Sequence, residues 1–193
     1  KKMGEDVLAM SKIIPKPISE LTEGLYDVVS AGIEASHALT VLKASGRLGV
    51  AGLGTTKEGV DVLTSSINSF SLSAAKSEDI ANMVFKAVKY GKTTVSELAE
   101  SFGSNSALMK NSNVSLEEYL ATTAVLTTTG MSASRAQTQV ASAVTALIKP
   151  SEKMQKVLNA LGAKNMPEFI KKNKGLVNTL ELVRNKAEQM GIM

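Results

Sequence analysis

The chain has 193 residues, 44% of them hydrophobic, with a net charge of +4, one histidine (His37) and no cysteine or tryptophan. That holds a domain-sized core and excludes disulfide frameworks, thiolate metal centres and multi-histidine metal sites. Aromatics make up only 4%, so the core is built from Ala, Val, Leu, Ile and Met, which suit close helix packing better than sheet faces. No apolar run reaches the roughly 20 residues of a membrane span.

In chain order, the punctuation and apolar period predict helices over 3–13, 18–31, 35–51, 56–70, 74–90, 95–102, 105–111, 116–128, 132–148, 152–161, 167–172 and 176–190. Lys16-Pro17 reads as a linker after the first helix. Gly32 closes the second, where a positive φ costs least at glycine. Val60, Leu63, Ile67 and Phe70 share one face of the fourth, and Ile80, Val84 and Ala87 one face of the fifth, which Gly91 closes. Thr94 and Glu97 have the spacing of a capping box, in which the hydroxyl accepts an orphan N–H and the carboxylate reaches back. Gly103 reads as a stop. Ser115 and Glu118 repeat the box before Leu116, Leu120 and Thr123, and Gly130 closes that helix. Ala136, Val140, Val144 and Leu147 line the next, which Pro150 terminates. Ser151 is placed to cap its successor, Gly162 to close it, and Leu176, Leu180, Val183, Ala187 and Met190 form a short heptad-like seam.

With no sustained period-two alternation, these elements predict an all-α fold, a compact array of about ten short antiparallel helices joined by Gly/Pro-punctuated loops. The expected divisions are an N-terminal helix and linker (1–17), a helical core domain (18–165) and a basic C-terminal helical segment (166–193). One internal echo is visible: residues 32–40 align with 130–138, an offset of 98. Any Gly-terminated helix followed by an Ala/Ser-rich one produces such a match, and that is the preferred explanation over duplication.

The chemistry-bearing patterns dissolve on inspection. Gly91-Lys92-Thr93 resembles the end of a phosphate loop, but Lys86 stands where the first glycine is required and no strand precedes the turn. Gly49, Gly52 and Gly54 come in the wrong order for a dinucleotide fingerprint. Ser73 and Lys76 match S-x-x-K without its partner motifs. His37 has only Glu34 at a companion spacing, which one helical turn explains. Glu97, Glu100, Glu117 and Glu118 sit in or near helix first turns, where carboxylates complement the macrodipole. No catalytic residue, cofactor or metal ligand is assigned. The nine methionines are scattered and read as core fillers. From Lys149 onward nine Lys/Arg oppose four Glu, and Lys171, Lys172 and Lys174 are the candidate contacts to an acidic partner, including nonspecific DNA.

Ordered signatures then carry a resemblance: Ser30-Ala31-Gly32-Ile33, Val50-Ala51-Gly52-Leu53-Gly54, Ile67-Asn68-Ser69-Phe70, the stretch 84–94 ending Gly91-Lys92-Thr93-Thr94, Glu97-Leu98-Ala99, Val114-Ser115-Leu116-Glu117-Glu118, Leu126-Thr127-Thr128-Thr129-Gly130-Met131, the helix 139–149 with Pro150, and Leu158 to Gly162. Over roughly 18–165 the chain resembles the core region of phage tail tape-measure proteins, the phage-related minor tail protein family. The resemblance implies a non-catalytic virion tail component, assembled in the host bacterial cytoplasm, that sets tail length and leaves ahead of the DNA. It implies as partners the tail tube protein, tail assembly chaperones, the tail tip or baseplate hub and, during ejection, the host envelope, with several copies (a trimer or hexamer by analogy with tail symmetry). The alternatives are a helical protein-binding module of a translocated effector and, less favoured, a hydrolase pairing His37 with a distant serine.

Overall fold

The computed structural model of the chain describes residues 2–192; the expected end segments 1–17 and 166–193 run on to Lys1 and Met193, which lie outside the described residues. Among the described residues there are eleven α-helices and no strand. They are α1 (Lys2–Ser11), α2 (Ile18–Ser30), α3 (Ala35–Ala51), α4 (Thr56–Phe70), α5 (Ser77–Tyr90), α6 (Val95–Asn111), α7 (Leu116–Thr128), α8 (Ala133–Ile148), α9 (Glu152–Ala160), α10 (Met166–Lys172) and α11 (Leu176–Gln189), with a 3-10 turn over Ala74–Lys76 before α5.

Local hydrogen bonding explains most helix starts. Thr55 and Thr94 each open a helix with a reciprocal box: Thr55 Oγ1 accepts the Glu58 N–H at 3.2 Å while Glu58 Oε2 accepts the Thr55 N–H at 2.7 Å. The Thr94 and Glu97 pair repeats this at 3.1 and 3.3 Å. Ser115, Ser132, Ser151 and Asn165 cap α7, α8, α9 and α10 through their side-chain oxygens.

Two expectations are corrected. The helices expected at 95–102 and 105–111 are one, the 17-residue α6, and Gly103 lies inside it. An interior glycine costs only about 1 kcal/mol, and α6 packs along its length against both α4 and α8. Packing therefore overrides the local stop. The first helix ends at Ser11 rather than 13, and Ile14 turns inward to 1% exposure. The Lys16-Pro17 linker is also tied down: Lys16 Nζ donates to Gly54 O at 3.1 Å and pairs with Glu20 at 3.2 Å.

The first eight helices stack in two layers. α1, α3, α5 and α7 follow one another in one layer, and α2, α4, α6 and α8 in the other. This arrangement is a repeat of αα-hairpins with a period of 38–39 residues. The caps Thr55, Thr94 and Ser132 lie 39 and 38 residues apart. The buried positions keep the same step: Leu63, Phe102 and Val140; Phe70, Met109 and Leu147; Val41, Ile80 and Tyr119. The step extends back to α2, whose buried Leu21, Gly24 and Val28 precede Val60, Leu63 and Ile67 of α4 by 39 residues each. Gly32 and Ser71, also 39 apart, both take positive φ (82° and 55°) at the turn leading into the next hairpin. Each hairpin buries its stripes against its neighbours, the arrangement of a short helical solenoid. The offset of 98 seen in the sequence is not this period. It pairs the turn between hairpins at Gly32 with the turn inside a hairpin at Gly130.

The register stops at α8. Lys149 (φ −120°, ψ 71°) and Pro150 break the chain direction, and α11 packs with α9 and α10 around buried Val157, Leu158, Ile170, Leu176 and Val183. Its buried side chains are continuous with the core of the array, and among the described residues two side-chain hydrogen bonds also join the two. Asn113 Nδ2 donates to Pro167 O at 2.9 Å, and Glu118 Oε1 accepts the Val177 N–H at 3.0 Å.

Candidate functional site

The residues singled out in the sequence are spread along the fold as turns and caps. Gly32, Gly130 and Gly162 take φ of 82°, 92° and 69°. Gly91 does not: its φ is −99°, and Lys92 adopts the left-handed conformation at φ 48°. Gly91 is small for a different reason. A Cβ there would stand 2.6 Å from Ala87 O and 2.7 Å from both Ala124 Cα and Thr127 Oγ1, so the glycine lets the end of α5 lie directly on α7. Ser115 caps α7, but Glu118 does not return the bond; its carboxylate serves α11 instead.

Two of the patterns set aside above take part in local structure. Thr93 of Gly91-Lys92-Thr93 donates to Glu97 Oε2 at 2.7 Å as part of the α6 cap. His37 is half-buried beside the turn that follows Gly32, and its backbone N–H donates to Glu34 O at 2.8 Å. Among the described residues no group of three His, Asp or Glu side chains is placed to hold a metal ion, and no helix is long and apolar enough to cross a membrane. Lys171, Lys172 and Lys174 are exposed around the end of α10. Lys171 and Lys174 share a shallow groove with Glu117 and Glu118, so their charge faces carboxylates on one side.

Two buried-edge carboxylates organise the α2–α4 end. Glu20 Oε1 accepts the Thr56 N–H at 2.6 Å and pairs with Lys16. Burial pushes its pKa up, but the bonds from Thr56 and Lys16 outweigh it and hold the carboxyl below its ordinary value. Glu58 is the same case: burial raises it, while the Thr55 N–H and the Ser96 hydroxyl at 2.7 Å bring it below the usual range.

The most distinctive surface is a groove of about 450 Å³ between α5 and α7. Its floor is the buried Ala87, Leu120 and Ala124, its rims carry Tyr90, Ala121 and Val125, and Lys86 and Glu117 line it from opposite helices. Tyr90 and Val125 are 67% and 65% exposed. The repeat explains the hollow. Thirty-nine residues earlier, Phe85 holds the position of Ala124 and is packed against the core. Arg47 and Glu78 hold the positions of Lys86 and Glu117, and they close across α3 and α5 in an ion pair at 3.1 Å. Between α5 and α7 the ring is replaced by a methyl group, and among the described residues Lys86 and Glu117 form no ion pair. Sequence reasoning missed this surface; its signal, the Phe85-to-Ala124 change, is visible only once the 39-residue register is known.

The chain is 23% identical over 143 residues to the tape measure protein of Pneumococcus phage Dp-1, a match covering 74% of this chain and 12% of that protein. The chain thus spans about an eighth of the length of the relative it matches. No solved structure matches it. The model of the family described as phage-related minor tail protein matches residues 4–191, nearly the whole chain, and the chain belongs to that family.

Proposed function

We propose that this chain is a folded, non-catalytic module of a tape-measure protein, carried by a longer chain whose graduated part lies elsewhere. A structural role in a phage tail comes with membership of the family; the division of labour within the parent chain is our reading. The observation that supports it is the hairpin stack. An α-helix rises about 1.5 Å per residue, so 39 residues of unbroken helix span about 58 Å. Folded as a hairpin, the same residues advance a stack by one interaxial spacing, about 10 Å. The longest helices, α3 and α6, have 17 residues. Such a fold converts chain length into thickness and makes a poor ruler.

In this reading the parent protein sets tail length and leaves ahead of the DNA, in contact with the tail tube protein, tail assembly chaperones, the tail tip or baseplate hub and, on ejection, the host envelope. Several copies act together, and assembly takes place in the host bacterial cytoplasm before the protein is enclosed in the virion tail. Beside the expected core domain 18–165, the repeat register, which runs from α2 to α8, supports a division between array and C-terminal unit at Pro150. The test is an in-frame deletion of one hairpin, residues 77–115, in the parent gene. Tail assembly or infection should fail, or tails should keep their length in electron micrographs. Tails shortened in proportion to the residues removed would refute the module.

A further inference from the structure

We propose that the α5–α7 groove is a docking site for a second copy of this chain, which inserts Tyr26 of its α2. In the 39-residue register Ala124 of the groove corresponds to Phe85, a ring packed against the core, so the groove lacks an aromatic side chain at that register position. The chain displays a ring suited to fill it. Tyr26 is 74% exposed on the outer face of α2, flanked by Ile18 and Val29 at 48% each. An aromatic side chain standing free in an apolar strip is the kind of anchor that dominates protein interfaces when it finds a pocket.

The charges are complementary. Beside Tyr26 the surface of α2 and α4 carries Glu23, Asp27 and Asp61 around Lys57, whose ammonium they hold above its ordinary pKa, Asp61 most strongly. The α5 wall of the groove carries Lys86, exposed Lys89 stands 5.6 Å from the ring centroid of the rim residue Tyr90, and Glu117 faces them from α7. An acidic strip meeting a basic rim orients the encounter and fixes register. α2 packs on the first two helices of the array after it, α3 and α4, whereas the groove lies between α5 and α7. Donor and acceptor are therefore different patches. The contact is head-to-tail, and successive copies form a ring if the rotation closes and a filament if it does not.

This deepens the multi-copy part of the proposed tail role, and it is tested on the 193-residue chain alone, so its failure leaves the hairpin-deletion test of that role untouched. Sedimentation velocity is run at low salt from micromolar to millimolar concentration on the wild type, Ala124→Phe and Tyr26→Glu, with thermal melts to establish folding. The wild type should gain mass with concentration, and each variant should weaken association by about tenfold or more. Ala124→Phe should melt no lower than the wild type, because its ring takes the place that Phe85 holds one repeat earlier. Mixing the two variants leaves one intact donor and one intact acceptor and should restore a one-to-one pair that grows no further. Should Ala124→Phe fail to fold, Lys86→Glu replaces it, and its defect should be relieved by mixing with Glu23→Lys. A wild type that stays monomeric throughout, folded variants that associate like it, or a mixture that stays monomeric would each overturn the proposal.

Discussion

Glu118 and Val177, 59 residues apart, are joined by one hydrogen bond: the carboxylate at the start of α7 accepts the Val177 N–H, in the first turn of α11, at 3.0 Å. Gly175 makes room for it, since a Cβ there would meet Glu118 Oε1 at 2.5 Å. With Gly175 as N-cap and no side-chain cap of its own, α11 borrows its capping group from the hairpin array. Glu118→Ala should cost about 1 kcal/mol, the usual value of a lost cap. Hydrogen exchange should show the loss concentrated at 176–179, with α4 and α6 unaffected. Uniform loss of protection would show that the bond does not hold the two parts together.

The junction between array and C-terminal unit should be the first place to open. In a solenoid each unit is stabilised chiefly by its neighbours, and Lys149-Pro150 interrupts the helical register between α8 and α9. Limited proteolysis should cut first around 149–151, releasing a fragment that ends near Lys149 and keeps a cooperative melt. First cuts inside the turns at 53–54 or 92–93 would contradict this.

The two glycines of the α5–α6 region separate opposite effects. Gly91→Ala drives a methyl group into the backbone of Ala87 and Ala124 and should cost about 1–3 kcal/mol. Gly103→Ala meets only the Ser65 hydroxyl, at 3.0 Å. That side chain can turn away, so the gain in helix propensity, up to about 1 kcal/mol, should appear as a raised melting temperature. Destabilisation by Gly103→Ala would mean that α6 is not continuous there.

The low pKa of Glu20 gives acid sensitivity a defined sign. Its carboxyl is held below its unfolded value of 4.5, so its contribution is fully present above that pH and is lost as pH falls through the lower folded value. Glu20→Gln should be less stable than the wild type at pH 7 by about 1 kcal/mol, the usual net worth of one hydrogen bond. In urea titrations the gap should narrow as pH falls below 4.5 and through the lowered folded value, where the wild-type carboxyl becomes protonated as well. A gap independent of pH would remove the charge from the explanation.

Lys171, Lys172 and Lys174 test the acidic-partner reading. If they touch DNA phosphates, replacing all three with Gln should reduce the slope of log affinity against log salt by about 2 to 3. An unchanged slope would assign them to solvent.

What the sequence determined by itself is the helical class and nearly every helix boundary. Caps and C-terminal turns are decided within one turn of chain: Thr94 needs only the N–H of Glu97, and Gly130 needs only its own freedom at φ 92°. Tertiary structure decided how the helices stack and which small residues matter. Gly91 is required by the approach of α7, Gly103 is overruled by packing on α4 and α8, and Glu118 leaves the box its spacing suggests for a helix 59 residues away. The groove belongs to the same class. An alanine 39 residues after a phenylalanine becomes a hollow only when α5 and α7 lie side by side, because side-chain volume acts through contacts that the chain makes by folding.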